Sequence, residues 1–348
     1  LMKEQRVTIE PEYLEVFTQQ EIYDRKKPTA IENIEESLRL HNKHRTPIDW
    51  QNGCKFDRVQ EEYVATLENG YVGNEGAIFK DNNLYVLNSV YPTNVNTNLP
   101  QTDFDELVTI VQKWGYGYGH WLPESLSRLL QFIEDTGKSN IKILTWDSSF
   151  IRQFLYLIGI KDSQIIPFNN NTLYHAEKLY VPTPVYCGNP HKNSLLRINK
   201  TFKKLCGDSQ NKVNILISRE NTNTRRIADF DKLYNTLTST FTENKWVIFE
   251  NLPPKETVEL FSKANLVVGT HGGGLTNTVF CPPTTKVVEL MPVKDDTHIR
   301  PNYCPNICYW HLVSSLNLDY RLVPLNHNVS NPVLTVDINK IIKTIKDF

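Results

Sequence analysis

The chain has 348 residues, 40% of them hydrophobic and 22% charged, with a formal net charge of −1. That length predicts about two domains, each able to bury a core, and the balanced charge lacks the basic footprint of a nucleic-acid or anionic-membrane binder. No run approaches the roughly eighteen apolar residues of a membrane span, so an anionic ligand must be held by local basic groups.

Leu1-Met2 reads as a remnant ahead of a natural start, which implies a cytoplasmic protein, although a trimmed domain from the secretory-pathway lumen would begin the same way. Residues 1–60 are polar, with a charged helical stretch at 31–40, and read as an N-terminal extension. From Glu62 to Tyr91 short alternating strands are broken by Glu68-Asn69-Gly70, Gly73-Asn74-Glu75-Gly76 and Lys80-Asp81-Asn82-Asn83, a meander flanking an α/β core. Residues 93–105 read as a polar linker.

The spacing then predicts a strand over 107–112, a Gly/aromatic loop at 114–119 and a helix over 120–135 with Leu122, Leu126, Leu129, Leu130 and Ile133 on one face. A strand at 141–145, a helix at 150–158 and strands at 164–167 and 178–181 complete a first α/β domain, residues 61–190, with a parallel sheet. Tyr186 to Asn193 is Gly/Pro/Asn-rich and marks a boundary. The second domain, 191–330, reads as a helix through Leu205 and then strand 213–218, helix 229–239, strand 246–250, helix 254–264, strand 266–269, helix 275–280 and strand 286–291. A last helix, Asp337 to Lys346, has an Asp cap and an Ile338, Ile341, Ile342, Ile345 stripe, and is expected to pack back on the first domain.

Three stretches carry chemistry. Between a strand and a helix, His271-Gly272-Gly273-Gly274-Leu275-Thr276-Asn277 combines glycines that let backbone N–H groups approach a ligand with a helix N-terminus that favours negative charge. It lacks the G-x-G-x-x-G spacing of a dinucleotide fingerprint and the Gly-Lys-Ser/Thr of a Walker loop; the bland alternative is a tight connection. Ser218-Arg219 ends a strand and runs into Arg225-Arg226, which puts arginine forks suited to phosphate at the carboxyl edge of a sheet, or else a solvated loop with salt bridges. Glu289 inside an apolar strand needs partners, either ribose hydroxyls or one of those arginines. His120 and Glu124 stand one helical turn apart and suit a general base at a cleft, or a capped helix in which Glu124 tethers Arg128. Six cysteines, sparse and irregular, read as free thiols or, if secreted, a disulfide or two; Cys304 and Cys308 have no second pair to make a zinc site.

Taken in order, Gly119-His120-Trp121-Leu122 through Arg128-Leu129-Leu130, Ile217-Ser218-Arg219 with Arg225-Arg226, and Gly269-Thr270-His271-Gly272-Gly273-Gly274-Leu275-Thr276-Asn277 with Val287-Val288-Glu289-Leu290 resemble glycosyltransferase family 61 over roughly residues 60–345. The family includes luminal N-acetylglucosaminyltransferases of EGF repeats and O-mannose and plant xylan xylosyl- and arabinosyltransferases. The chain departs from the family pattern at Gly273, Pro123-Glu124 and Ser127.

The resemblance implies a GT-B type α/β fold, two Rossmann-like domains facing a cleft, with inverting transfer of a sugar, GlcNAc or a pentose such as xylose, from a UDP-sugar to a hydroxyl of a glycan or glycoprotein. Ser218, Arg219, Arg225, Arg226, the Gly272 to Asn277 turn and Glu289 would hold the donor, His271 would lie near the donor sugar or phosphate, and His120 or Glu124 would take the acceptor proton. No Asp-x-Asp triplet is well placed, Asp295-Asp296 lying in a polar loop, so neither a metal nor a cofactor beyond the donor is expected. A non-catalytic nucleotide- or glycan-binding module and a nucleotide-sugar epimerase are the alternatives.

Overall fold

A computed structural model describes residues 62–81, 96–185, 187–188, 190, 192–206, 211–292 and 308–348, with the backbone of short strands at Leu14–Phe17, Asp24–Arg25, Thr29–Ala30, Cys54–Lys55 and Asn83–Tyr85. The expected helix at 31–40 and the Asp295-Asp296 loop lie outside the described residues. The chain divides into two α/β units, Leu1–Ile22 with Asp57–Thr201, and Tyr23–Phe56 with Phe202–Phe348.

The first unit is built on an eight-stranded mixed sheet. Its parallel part runs Ile165–Pro167, Lys142–Thr145, Gln101–Thr109, Leu173–Pro182 across the sheet. The expected meander joins the same sheet, Glu62–Val72 pairing antiparallel with Leu173–Pro182 and continuing through Ile78–Lys80 and Asn83–Tyr85. The polar linker expected up to residue 105 is instead the first half of Gln101–Thr109. Its polar residues are exposed while Leu107, Val108 and Thr109 are buried, so the strand reads as a loop until the parallel partner supplies its hydrogen bonds.

After that strand the chain turns into a helix whose first turns are irregular. Trp121–Leu126 winds as a π-helix and Ser127–Thr136 continues as α-helix. Pro123 has no N–H to give to the ladder, and wide turns of this kind accommodate the missing bond. Trp121 donates its indole N–H to Thr145 Oγ1 at 3.0 Å, which fixes the helix to the end of a neighbouring strand. Arg128 is fully buried and donates Nε and Nη2 to Pro182 O at 3.2 and 2.9 Å and Nη1 to Val111 O at 3.0 Å. The expected tether between Glu124 and Arg128 is therefore absent, because the guanidinium is consumed by two strand ends.

The second unit carries a six-stranded sheet with every pairing parallel, in the order Lys245–Phe249, Val213–Ile217, Ala264–Thr270, Lys286–Pro292, Asp319–Leu325, Thr29–Ala30. Continuous apolar strands such as Leu-Val-Val at 266–268 and Val-Val at 287–288 suit a sheet covered on both faces. The predicted strands and helices of this unit match the observed ones to within a few residues, and the fifth long strand, with the helix Cys308–Ser315 before it, is an addition.

Within residues 1–60, expected as an N-terminal extension, the described strand Leu14–Phe17 pairs with Glu62–Val72 in the first unit and Thr29–Ala30 extends the sheet of the second. The terminal helix Ile338–Lys346, capped as expected by Asp337 on the N–H groups of Asn339 and Lys340, packs on the second unit and not on the first. Ile341 and Ile345 join Leu233, Leu237, Val288 and Val323 in one core, and burying each isoleucine is worth about 1.5–3 kcal/mol.

Candidate active site

In open α/β sheets a crevice forms outside the carboxyl ends of the strands where the winding direction reverses. Taken in chain order, the long strands of the second unit lie 2-1-3-4-5 across the sheet, which sets the reversal between Val213–Ile217 and Ala264–Thr270. The residues that leave those strands are Ser218-Arg219 and His271-Gly272, so two separate sequence motifs meet at one point of the fold.

Arg219 lies directly on the glycine turn. A Cβ on Gly272 would stand 2.3 Å from its Nη1, so only glycine leaves room for the guanidinium. Arg219 donates Nε to Thr224 O at 3.1 Å, and among the described residues no carboxylate is within ion-pair distance of it. Burial, and after it the like charge of Arg225, lower its pKa from the usual arginine value. A desolvated guanidinium with a like charge nearby favours an anion beside it. Arg225 adopts a left-handed conformation, φ 61°, while its N–H bonds Asn331 O at 2.8 Å. Arg226 enters a two-strand ladder with Val333.

The other glycines divide the labour differently from the expectation. A Cβ on Gly274 would meet Ile217 Cγ2 at 2.7 Å and one on Gly269 would meet Ile217 Cδ1 at 2.9 Å, so both glycines are required by close packing against Ile217. The turn continues as a 3₁₀ helix, Gly273–Phe280. Leu275 is fully buried and its N–H bonds Gly272 O at 3.0 Å, which corrects its assignment as a donor contact. Asn277 Nδ2 donates to Gly274 O at 3.0 Å and closes the turn, Thr276 is fully buried, and burial raises the pKa of the Tyr309 hydroxyl. The Ser218 hydroxyl bonds Glu250 Oε2 at 2.9 Å and so shapes the loop that carries Arg219.

His271 and Glu289 form a buried pair, Nδ1 to Oε1 at 2.6 Å, and Tyr320 donates its hydroxyl to Glu289 Oε2 at 2.5 Å. Both carboxylate oxygens are therefore hydrogen-bonded, the group is fully buried, and among the described residues Glu289 has no arginine partner. The physical reason is its register: Glu289 sits opposite Gly269 and directly precedes Leu290, whose carbonyl anchors the His271 N–H, which leaves it beside the histidine. With Nδ1 held by the carboxylate, Nε2 is the nitrogen His271 has for other partners.

The first unit repeats the arrangement. Its parallel strands lie 3-2-1-4, so the reversal falls between Gln101–Thr109 and Leu173–Pro182. Beyond those two ends stand Gln112 and the Val185 to Gly188 segment, and the irregular helix brings His120 and Glu124 to the same place. His120 Nδ1 meets Glu124 Oε1 at 3.0 Å and Cys187 Sγ at 3.5 Å, and its ring lies 5.9 Å from that of Trp114. Glu124 is 1% exposed; Gln112 Nε2 donates to its Oε2 and Gly188 N–H to its Oε1, each at 3.3 Å. Burial works against the His120 imidazolium, but Cys187 and Glu124 outweigh it and raise the pKa to about 10. Burial also raises Glu124, with His120 the strongest group acting against it.

Of the expected site residues, Arg219, Arg225, Gly272, His271 and Glu289 gather at one reversal, and His120 and Glu124 at the other. Tyr309, Tyr320, Gln112 and Cys187 were not anticipated. Glu289 inside an apolar strand signalled that a partner such as Tyr320 must exist, whereas Cys187 gave no signal. Cys187, Cys206, Cys281 and Cys308 are all thiols, in line with the expectation; Cys304 lies outside the described residues.

Residues 118–288 match the family described as Glycosyltransferase 61. Among solved structures, the chain is similar to the bacterial iron-containing dodecameric glycosyltransferase TibC from enterotoxigenic E. coli H10407, with 10% identity over 71% of this chain and 68% of that one and a TM-score of 0.32. A structure of the dodecameric iron-containing heptosyltransferase TibC with ADP-D-beta-D-heptose gives 11% identity, the same coverages and a TM-score of 0.29. No curated protein matches the chain.

Proposed function

Because the chain belongs to glycosyltransferase family 61, we propose that it moves a sugar, GlcNAc or a pentose such as xylose, from a UDP-sugar to a hydroxyl of a glycan or glycoprotein, with inversion at the anomeric carbon. The observation that carries the donor half is the reversal point of the second sheet, where Arg219 and Arg225 stand beside the glycine turn. As the bond to the leaving diphosphate lengthens, negative charge grows on its oxygens. The Arg219 guanidinium and N–H groups of the turn would meet that charge, and groups fixed before the reaction are the most effective form of electrostatic stabilisation. Fixed cations in that position remove the requirement for a metal at the diphosphate.

His271, with Nδ1 tied to Glu289, offers Nε2 to the donor phosphate or sugar. On the acceptor side the reachable base is His120, about a third of whose side chain is exposed, while Glu124 is buried. Glu124 orients the ring and strengthens its basicity, the same division of roles that a carboxylate and histidine play in a hydrolase triad. His120 would take the proton of the attacking hydroxyl as its oxygen bonds to the anomeric carbon and the diphosphate departs. Two α/β units, each with its own reversal point, support a GT-B type architecture, with donor binding in the unit ending at Phe348 and acceptor chemistry in the other.

A thermal-shift panel of UDP-GlcNAc, UDP-xylose, UDP-arabinose, UDP-glucose and UDP-galactose tests the donor, since a ligand that binds the native state raises its apparent stability by mass action. The donor that shifts most is then incubated with glycan acceptors and the product's anomeric configuration read by NMR. Inversion is expected; retention, or UDP binding with no hydrolysis or transfer, would contradict the proposal.

A further inference from the structure

His120, Glu124 and Cys187 each offer one metal-ligating atom, a ring nitrogen, a carboxylate oxygen and a thiol sulfur, and the three lie within 4.8 Å of one another. Two of the three separations are 3.0 Å, His120 to Glu124, and 3.5 Å, His120 to Cys187. Tetrahedral zinc, with bonds of about 2.0–2.3 Å, requires its ligand atoms to be roughly 3.3–3.7 Å apart, so the three atoms need move only by a few tenths of an ångström to about an ångström. The geometry points to a zinc-class divalent cation site at this triad, with a fourth position open to water or another oxygen.

The surroundings have the features of a supported site. Gln112 donates Nε2 to Glu124 Oε2 at 3.3 Å and to Val185 O at 2.9 Å, and accepts from Val185 N–H at 2.9 Å. One amide thus orients the carboxylate ligand and anchors the segment that ends in the thiol ligand, the role that outer partners play around ligating side chains. Glu124 is buried while His120 and Cys187 are half-buried, which leaves an approach from one side. One nitrogen, one oxygen and one sulfur favour zinc over calcium or magnesium, which take oxygen ligands.

Loading would release the thiol proton and the proton shared by His120 and Glu124, the ion taking their place. If, as proposed above, the His120 and Glu124 pair handles the acceptor proton, occupancy and base action compete, and zinc inhibits transfer; that consequence rests on the proposed function, while the binding site does not.

The test uses the metal-free full chain and no sugar. Co²⁺ is titrated as an optical probe and then displaced with Zn²⁺. A thiolate-to-cobalt charge-transfer band that saturates at one equivalent is expected, lost in Cys187→Ser and in His120→Ala, with Ca²⁺ and Mg²⁺ failing to displace the ion. Zn²⁺ affinity should fall in Cys187→Ser by more than the roughly 10–100-fold that loss of an outer partner costs. No Zn²⁺ binding by the parent chain, or a cobalt band of equal intensity in Cys187→Ser, overturns the proposal. Failure of the transfer assay leaves these readouts unaffected.

Discussion

The guanidinium of Arg219 rests on Gly272 so closely that a Cβ at that glycine would be 2.3 Å from Nη1. The contact joins the ends of the first and third long strands of the second sheet, residues separated by a βαβ unit and more in sequence. Gly272→Ala must therefore displace the arginine, which sits at the end of a flexible side chain and can swing away at little cost in stability. Nucleotide affinity should drop about as far as in Arg219→Ala while the melting temperature stays within about a degree of the parent. Isothermal titration with UDP and a thermal melt check both parts.

Gly274→Ala should do the reverse. The added carbon meets Ile217 Cγ2 at 2.7 Å inside the core, and overpacking of this kind costs about 1–3 kcal/mol. A fall in the melting temperature of several degrees, with UDP affinity nearly kept, is the expected result of the same two measurements. Equal loss of affinity in the two glycine variants would show that the division between ligand approach and packing is drawn in the wrong place.

Tyr320→Phe removes the hydroxyl that serves Glu289 Oε2 in a fully buried position. An orphaned buried carboxylate oxygen costs about 1–3 kcal/mol, so chemical denaturation should show a loss of that size. Glu289→Gln keeps the shape but weakens the hold on His271 Nδ1, and should lower the transfer rate more than it lowers UDP affinity. A rate that is unchanged would remove His271 from the chemistry.

The pH dependence of transfer follows from the sign of the His120 shift. Its folded pKa lies near 10, above the ordinary value of 6.5, so the imidazolium is the dominant form at neutral pH and the free base grows as pH rises. The rate should climb with pH towards that value. In Glu124→Gln one of the groups that raise the pKa is gone while burial still lowers it, so the limb moves to lower pH and the maximum falls. His120→Ala should reduce turnover by about 10²–10⁴-fold. A limb that stays in place in Glu124→Gln would detach the carboxylate from the histidine.

Arg128→Lys tests the helix anchor. A single ammonium cannot reproduce the forked contacts to Pro182 O and Val111 O. About 1–3 kcal/mol should be lost, because at least one buried backbone carbonyl is left without its donor. The measurement is urea unfolding; a midpoint equal to that of the parent chain would show that the anchor is dispensable.

Much of the second unit was legible because its strands are apolar runs separated by amphipathic helices, a pattern that survives without tertiary information. The glycine turn and the arginines were legible as chemistry, yet only the strand order brings them together, and strand order is not written in any local stretch. Residues 101–105 read as part of a linker because that outer half of Gln101–Thr109 is polar and its partner lies far along the chain. The terminal helix was assigned to the wrong unit for a related reason: an isoleucine stripe states that a face is buried but not against what. Cys187 escaped notice because a lone cysteine acquires meaning only from His120 and Glu124 beside it.

The central claim is that the reversal point of the second sheet holds a nucleoside diphosphate through Arg219. The most direct measurement compares UDP with uridine by isothermal titration against the parent chain and Arg219→Ala. UDP affinity should fall by about 10–100-fold, the equivalent of about 1.5–3 kcal/mol for hydrogen bonds to charged groups, while uridine affinity is nearly unchanged. UDP affinity that survives Arg219→Ala, or a loss shared equally by uridine, would contradict it.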